Sequence, residues 1–193
     1  RTDFENHVVV SLEDQGILSF TNLLDYGQNN SFSNSLQLDF SYSLTNHLDV
    51  KLAYKLNQAK TTYPDWNRWD VTELKEISFL PKDRGLLNLI FTNTKENWFF
   101  DATLNYVGKS RIPQHESINK DYSDPFSLIN CQITHKYKDF DFYIGGENLL
   151  EYKQENPILD YENPSSDSFD ASLIWAPVMG RTIYFGLRYK LPF

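Results

Sequence analysis

The chain has 193 residues, a formal net charge of −8 and a mean hydropathy of −0.51, with 12 Tyr and 14 Phe. That length holds one ordinary domain, and the acidity excludes nucleic acid as a partner, because phosphate binding needs a clustered Lys/Arg surface. No run approaches the 18 apolar residues of a spanning helix, but a membrane barrel stays open, since strands apolar on one side only average out as polar.

The opening RTDFENHVVV carries no basic-then-apolar leader, so either a targeting segment has been removed or the chain is a piece of something longer. Alternation of period two then dominates, and helical periodicity is weak. FENHVVVSLED (4–14) and the stretch from Gly16 into residue 44 form a first, less regular pair, with a break near Tyr26 and Gly27. Within the second member Leu36, Leu38, Phe40, Tyr42 and Leu44 oppose Ser35, Gln37, Asp39, Ser41 and Ser43; after the turn TNH, Leu48, Val50, Leu52, Tyr54 and Leu56 oppose Asp49, Lys51, Ala53, Lys55 and Asn57. This predicts a hairpin. Another follows from LLNLIFTN (86–93) and WFFDATLNYVG (98–108), and a third from SLINCQITHKY (127–137) and FDFYIGGENLL (140–150). The lone Cys131 sits in that alternation, where a buried or lipid-facing thiol is the plain reading. The last strand, 181–193, ends RTIYFGLRYKLPF.

Eight strands are therefore expected: 4–13, 17–44, 48–62, 81–93, 98–108, 126–137, 140–150 and 181–193. The connections at 45–47, 94–97 and 138–139 are tight, whereas 63–80, 109–125 and 151–180 are long. In an up-and-down meander successive connections lie at alternate ends, so the short link at 14–16 joins the long set by order. Tight turns at one end and long loops at the other are the habit of outer-membrane barrels. Tyr42, Trp98, Tyr137 and Phe140 lie on the apolar face near the tight turns, where they form a ring suited to a membrane–water boundary; the alternative is the rim of a β-sandwich core. The polar face is largely Ser, Asn, Gln, Thr and Asp, as in a hydrated lumen.

Catalytic and metal-binding patterns are absent from the sequence. His7, His47, His115 and His135 show no ligand spacing, and there is no nucleophile elbow or phosphate loop. Neither an enzyme nor a cofactor is expected. The acidic stretch ILDYENPSSDSFD offers Asp160, Glu162, Asp167 and Asp170 to calcium, without EF-hand order, against a plain solvated loop. The two glycines of GGENL are expected to allow a close approach of the wall to another backbone. Recognition belongs in the long loops. TTYPDWNRWD brings Tyr63, Trp66, Arg68 and Trp69 together as flat apolar surface and cation, or as anchors to the rim, and GKSRIPQHESINKDY adds Arg111 and His115.

The terminal comb, with Phe185, Leu187, Tyr189, Leu191 and Phe193 at every second place, resembles the signal read by the outer-membrane barrel-assembly machinery, although Pro192 is unusual there. GGENLLEYKQENP (145–157) resembles the Asn-Leu…Tyr stretch on the penultimate strand of TonB-dependent outer-membrane receptors, and MGRTIYFGLRYK (179–190) their closing strand. SFSNSLQLDFSYSLTNHLDVKLAYKLNQAKTTY and LPKDRGLLNLIF resemble the strands on either side of a long loop. The resemblance runs over nearly the whole chain. It implies an antiparallel transmembrane β-barrel of 22 strands in a Gram-negative outer membrane, of which residues 1–193 are the last eight. It further implies the remainder of the barrel and a plug, on the same or a partner chain, contact with TonB through that plug, outer-membrane lipid around the wall, and uptake of a scarce ligand such as a metal chelate, haem, cobalamin, peptide or glycan. The rival readings are a free-standing eight-stranded barrel and a secreted β-sandwich binding module.

Overall fold

A computed structural model describes residues 2–3, 8–14, 17–22, 31–65, 68–113, 118, 120–166 and 169–191; of residues 3, 8–14, 17–22, 64–65 and 68–72 it describes the backbone alone. Every element among them is a strand: β1 (Thr2–Asp3), β2 (Val8–Asp14), β3 (Ile17–Asn22), β4 (Phe32–Thr45), β5 (Leu48–Asp65), β6 (Arg68–Glu76), β7 (Asp83–Thr92), β8 (Trp98–Val107), β9 (Phe126–Tyr137), β10 (Phe140–Glu147) and β11 (Thr182–Tyr189). One antiparallel sheet runs β1-β4-β5-β7-β8-β9-β10-β11, with β6 attached to the far end of β5. From β4 onward, apart from the β6 excursion, neighbours in sequence are neighbours in space. This is the predicted meander.

Period two sets the register, because a slip of one residue would carry every apolar side chain to the other face. Phe40 faces Leu52, which faces Leu87, which faces Leu104 and then Ile129; on the opposite face Ser41, Lys51, Asn88, Thr103 and Asn130 form the parallel row. Successive tight turns are staggered. Phe91 is level with Leu48 and β7 runs one residue further, while His135 is level with Trp98 and β9 runs two further, to Tyr137. Such stepping belongs to strands tilted against a common axis.

The apolar face is bare. Leu38 is 66 % exposed, Phe40 57 % and Phe185 86 %, and Leu52, Leu89, Phe100, Ile133, Phe142 and Leu187 are exposed with them. A β-sandwich would bury these groups against a second sheet, so the sandwich reading is overturned. On the polar face, hydrogen bonds run across strands: Asn88 Nδ2 donates to Asp101 Oδ1 at 3.0 Å and to Thr103 Oγ1 at 2.9 Å, and Tyr184 Oη donates to Gln132 Oε1 at 3.1 Å.

Four further expectations need correction. Residues 17–44 are not one strand: β3 pairs with β2 in a separate two-stranded sheet, and β4 begins at Phe32, meeting β1 through Thr2↔Ser33 and Asp3↔Phe32. The connection at 63–80 is not irregular throughout, since β6 returns along β5 with Lys60↔Glu76 and Thr61↔Lys75. The opposite charges of Lys60 and Glu76 support that ribbon, and its polar residues leave no apolar comb to read. A closed eight-stranded barrel is also excluded among the described residues, because β11 pairs with β10 alone and the outer side of β4 meets only the two residues of β1. The glycines of GGENL make room for side chains rather than backbone: a Cβ on Gly145 would meet the Tyr184 ring, and one on Gly146 would meet Leu149 and Ile183.

Candidate functional site: the loop cluster at the open end

The long connections pack on one another at the end opposite the tight turns. Ile112 and Leu173 are each 1 % exposed and join Leu159, with Phe79, Ile118 and Trp175 against them. Four segments far apart in sequence thus share a small apolar core, enough to give the loops a fixed shape. Gln154 is buried and clamps the returning segment: its Nε2 donates to the Leu173 carbonyl at 2.8 Å, and its Oε1 accepts from the Trp175 and Ala176 amides at 2.8 and 3.2 Å. Asn148 does the same where β10 ends. Its Nδ2 donates to the Tyr152 carbonyl at 2.7 Å and to the Met179 carbonyl at 3.2 Å, while its Oδ1 accepts from the Tyr152 amide at 3.0 Å.

Tyr152 then lies flat on Phe126, with ring centroids 4.8 Å apart and planes 9° from parallel. Phe126 is level with Val107 on the polar face, so the stack folds this loop over that face. Between the loops opens a cavity of about 410 Å³, bounded by Lys120, Asp124, Tyr152, Lys153, Glu155 and Trp175 among others. Lys120 Nζ donates to Asp124 Oδ2 at 2.8 Å, which raises the lysine's pKa. Burial raises that of Tyr152, helped by the Asp124 charge. The cavity offers ring faces with charges of both signs.

Tyr63 and Arg111, two of the residues read as ligand contacts, do come together: the guanidinium lies over the ring at 5.1 Å. Both are buried, and Arg111 Nε donates to the Glu76 carbonyl at 2.5 Å and Nη2 to Ser78 Oγ at 2.7 Å. The pair staples the base of the β5–β6 ribbon to the 108–125 loop. Nearby Lys82 Nζ meets Glu76 Oε1 at 2.8 Å and lies over the Tyr122 ring, as does Lys109. Burial of Glu76 opposes ionisation, but the hydrogen bonds from Lys82 and Tyr122 and the charges of Lys82 and Lys60 outweigh it and hold the carboxyl below its usual range. Trp66 and His115 lie outside the described residues, and of Arg68 and Trp69 only the backbone, at the start of β6, is described.

Tyr42, Trp98, Tyr137 and Phe140 all stand exposed on the apolar face by the tight turns. Trp98 stacks on His135 at 4.3 Å, and Phe140 meets Tyr189 at 4.8 Å. Phe185, Leu187, Tyr189 and Leu191 are exposed along β11 or just past it; Phe193 is outside the described residues. No group of three or more His, Cys, Asp or Glu able to hold a metal occurs among the described residues, and Asp167 of the acidic stretch is not among them. The sequence missed Tyr152, Lys120, Asp124 and Trp175. Only Tyr152 carried a signal, as the aromatic of the GGENLLEYKQENP motif.

No protein-family model and no curated protein sequence matches the chain. Among solved structures it is similar to the ferric-catecholate import receptor Fiu from E. coli in its closed form, at a TM-score of 0.62 and 14 % identity over 96 % of this chain and 23 % of that one. It is also similar to a mutant of the ferric enterobactin receptor PfeA from Pseudomonas aeruginosa in complex with enterobactin, at a TM-score of 0.53 and 15 % identity over 81 % of this chain and 22 % of that one. The chain spans less than a quarter of either. At such identity the likeness is one of fold: this chain folds as a stretch of antiparallel β-barrel wall, the architecture that its resemblance to TonB-dependent receptors implied.

Proposed function

We propose that the chain is the last eight strands of a TonB-dependent receptor in a Gram-negative outer membrane, supplying wall, outer loops and assembly signal to a transporter of a scarce organic ligand or chelate. The observation that carries this reading is the bare apolar face of β4–β11, in a sheet whose long loops pack together at one end. Water alone would not tolerate that much contiguous hydrocarbon surface. Lipid covers it, and the polar face lines a hydrated lumen.

Dimensions agree. Trp98 and Tyr106 stand on the same face of β8, eight residues apart, about 27 Å along the strand and about 20 Å upright at the usual tilt, near the apolar band of such barrels. Tyr42, Trp98, Tyr137 and Phe140 mark the periplasmic boundary. The free sides of β4 and β11 pair with the remainder of the wall, because an unpaired edge cannot stand in lipid. A plug within that barrel, TonB acting through it and the assembly machinery reading Phe185 to Phe193 complete the set of partners. The ligand enters at the loop cavity beside Tyr152 and Trp175; Trp66, Arg68, Trp69 and His115 are proposed contacts on the same mouth, whereas Tyr63 and Arg111 serve to hold the loops.

The test is fractionation of cells expressing the full-length parent. The protein should sediment with outer membranes, need detergent for extraction, and shift its gel mobility on heating. Recovery as a detergent-independent monomer refutes the reading.

A further inference from the structure

On the polar face, near the loop end, Lys55 of β5 stands directly opposite Arg84 of β7. Like charges placed cross-strand destabilise a sheet, and among the described residues neither cation has an ion pair or hydrogen bond to relieve it. The acids around them are engaged elsewhere: Asp39, across from Ala53 one row down, holds Gln37 Nε2 at 2.9 Å, and Asp83 on the other face takes the Tyr54 hydroxyl at 2.7 Å. Gln37 is level with Lys55, and Asn105 lies one row below Arg84. Together they border a cleft of about 360 Å³. Two adjacent cations flanked by amides, with a planar guanidinium among them, match a carboxylate or phosphate in shape and charge.

We propose that Lys55 and Arg84 form an anion-binding subsite on the lumen wall, below the loop cavity. It takes a carboxylate or phosphate group, brought either by a soluble ligand or by a segment of the parent protein lying in the lumen. The inference rests on the receptor reading in one respect only, that the polar face lines an enclosed space.

The experiment compares the full-length parent in detergent with its Lys55→Gln/Arg84→Gln variant, using citrate as the probe. If the anion is soluble, calorimetry at low salt shows citrate binding that the variant weakens at least tenfold, and the gap narrows as salt rises. If the anion belongs to the parent itself, citrate gives no heat with either protein. The double variant then unfolds at a lower temperature than wild type, and the charge-keeping Lys55→Arg/Arg84→Lys does not. Two results overturn the proposal: citrate affinity unchanged in the Gln variant, or no citrate binding together with an unfolding temperature that is unchanged, raised, or lowered equally by the charge-keeping exchange. Heat-modifiable mobility, measured on each variant, separates these results from a failure of the receptor reading.

Discussion

Asn148 adopts a left-handed backbone with φ of 49° and uses both ends of its amide to hold the loop that leaves β10. Removing that amide orphans the Tyr152 amide and carbonyl, so Asn148→Ala should cost about 2 kcal/mol in denaturant unfolding of the full-length protein. Asn148→Gly, which tolerates the backbone, separates the amide from the strain. Glu76 gives a pH-dependent counterpart. Its folded pKa is lowered, so its link to Lys82 is intact above the usual carboxylate range and is lost as pH falls through the folded value. Wild type should lose thermal stability, as pH falls below the usual carboxylate range, more steeply than Glu76→Gln, by less than about 1 kcal/mol because the pair is partly solvated. Of these roles the sequence revealed only the motif position of Asn148. The amide of Gln154 and the Arg111 staple depend on segments 19 or more residues away, which no local spacing encodes.

Among the elements, those with two unlike faces were the legible ones. β4, β5 and β7–β11 place an apolar row against a polar row, and that contrast writes period two into the chain at nearly the bounds observed for β5 and β7–β11 and from Leu36 onward in β4. β6 carries charged residues at both alternating sets of positions, so it reads as loop; the loop core of Ile112, Leu159 and Leu173 has no periodicity because no regular element carries it. Where β10 meets β11, each ring lies over a glycine, Tyr143 on Gly186 and Tyr184 on Gly145, with the ring centroids 6.4 Å apart. Gly145→Ala should displace Tyr184 from Gln132 and lower the heat stability of the folded form, with the loss seen in gel mobility at stepped temperatures. On the apolar face, Leu104→Arg at mid-band should cost about 2–4 kcal/mol of stability in lipid, read as a fall in the fraction refolded into vesicles. Thr103→Arg, one residue away and facing the lumen, should cost far less.

For the whole molecule, β11 pairs with β10 alone and the outer side of β4 meets only β1 among the described residues, and the chain spans less than a quarter of each similar receptor; on the proposed reading other strands complete this wall. The two faces of that wall decide the account. Single cysteines placed from Trp98 to Val107 of the full-length parent, with Cys131→Ala as background, can be spin-labelled in bilayers and probed with oxygen and a water-soluble nickel complex. Labels at 100, 102 and 104 should relax with oxygen and those at 101, 103 and 105 with nickel, alternating residue by residue; labels at 100, 102 and 104 that are shielded from both reagents would contradict a lipid-facing wall.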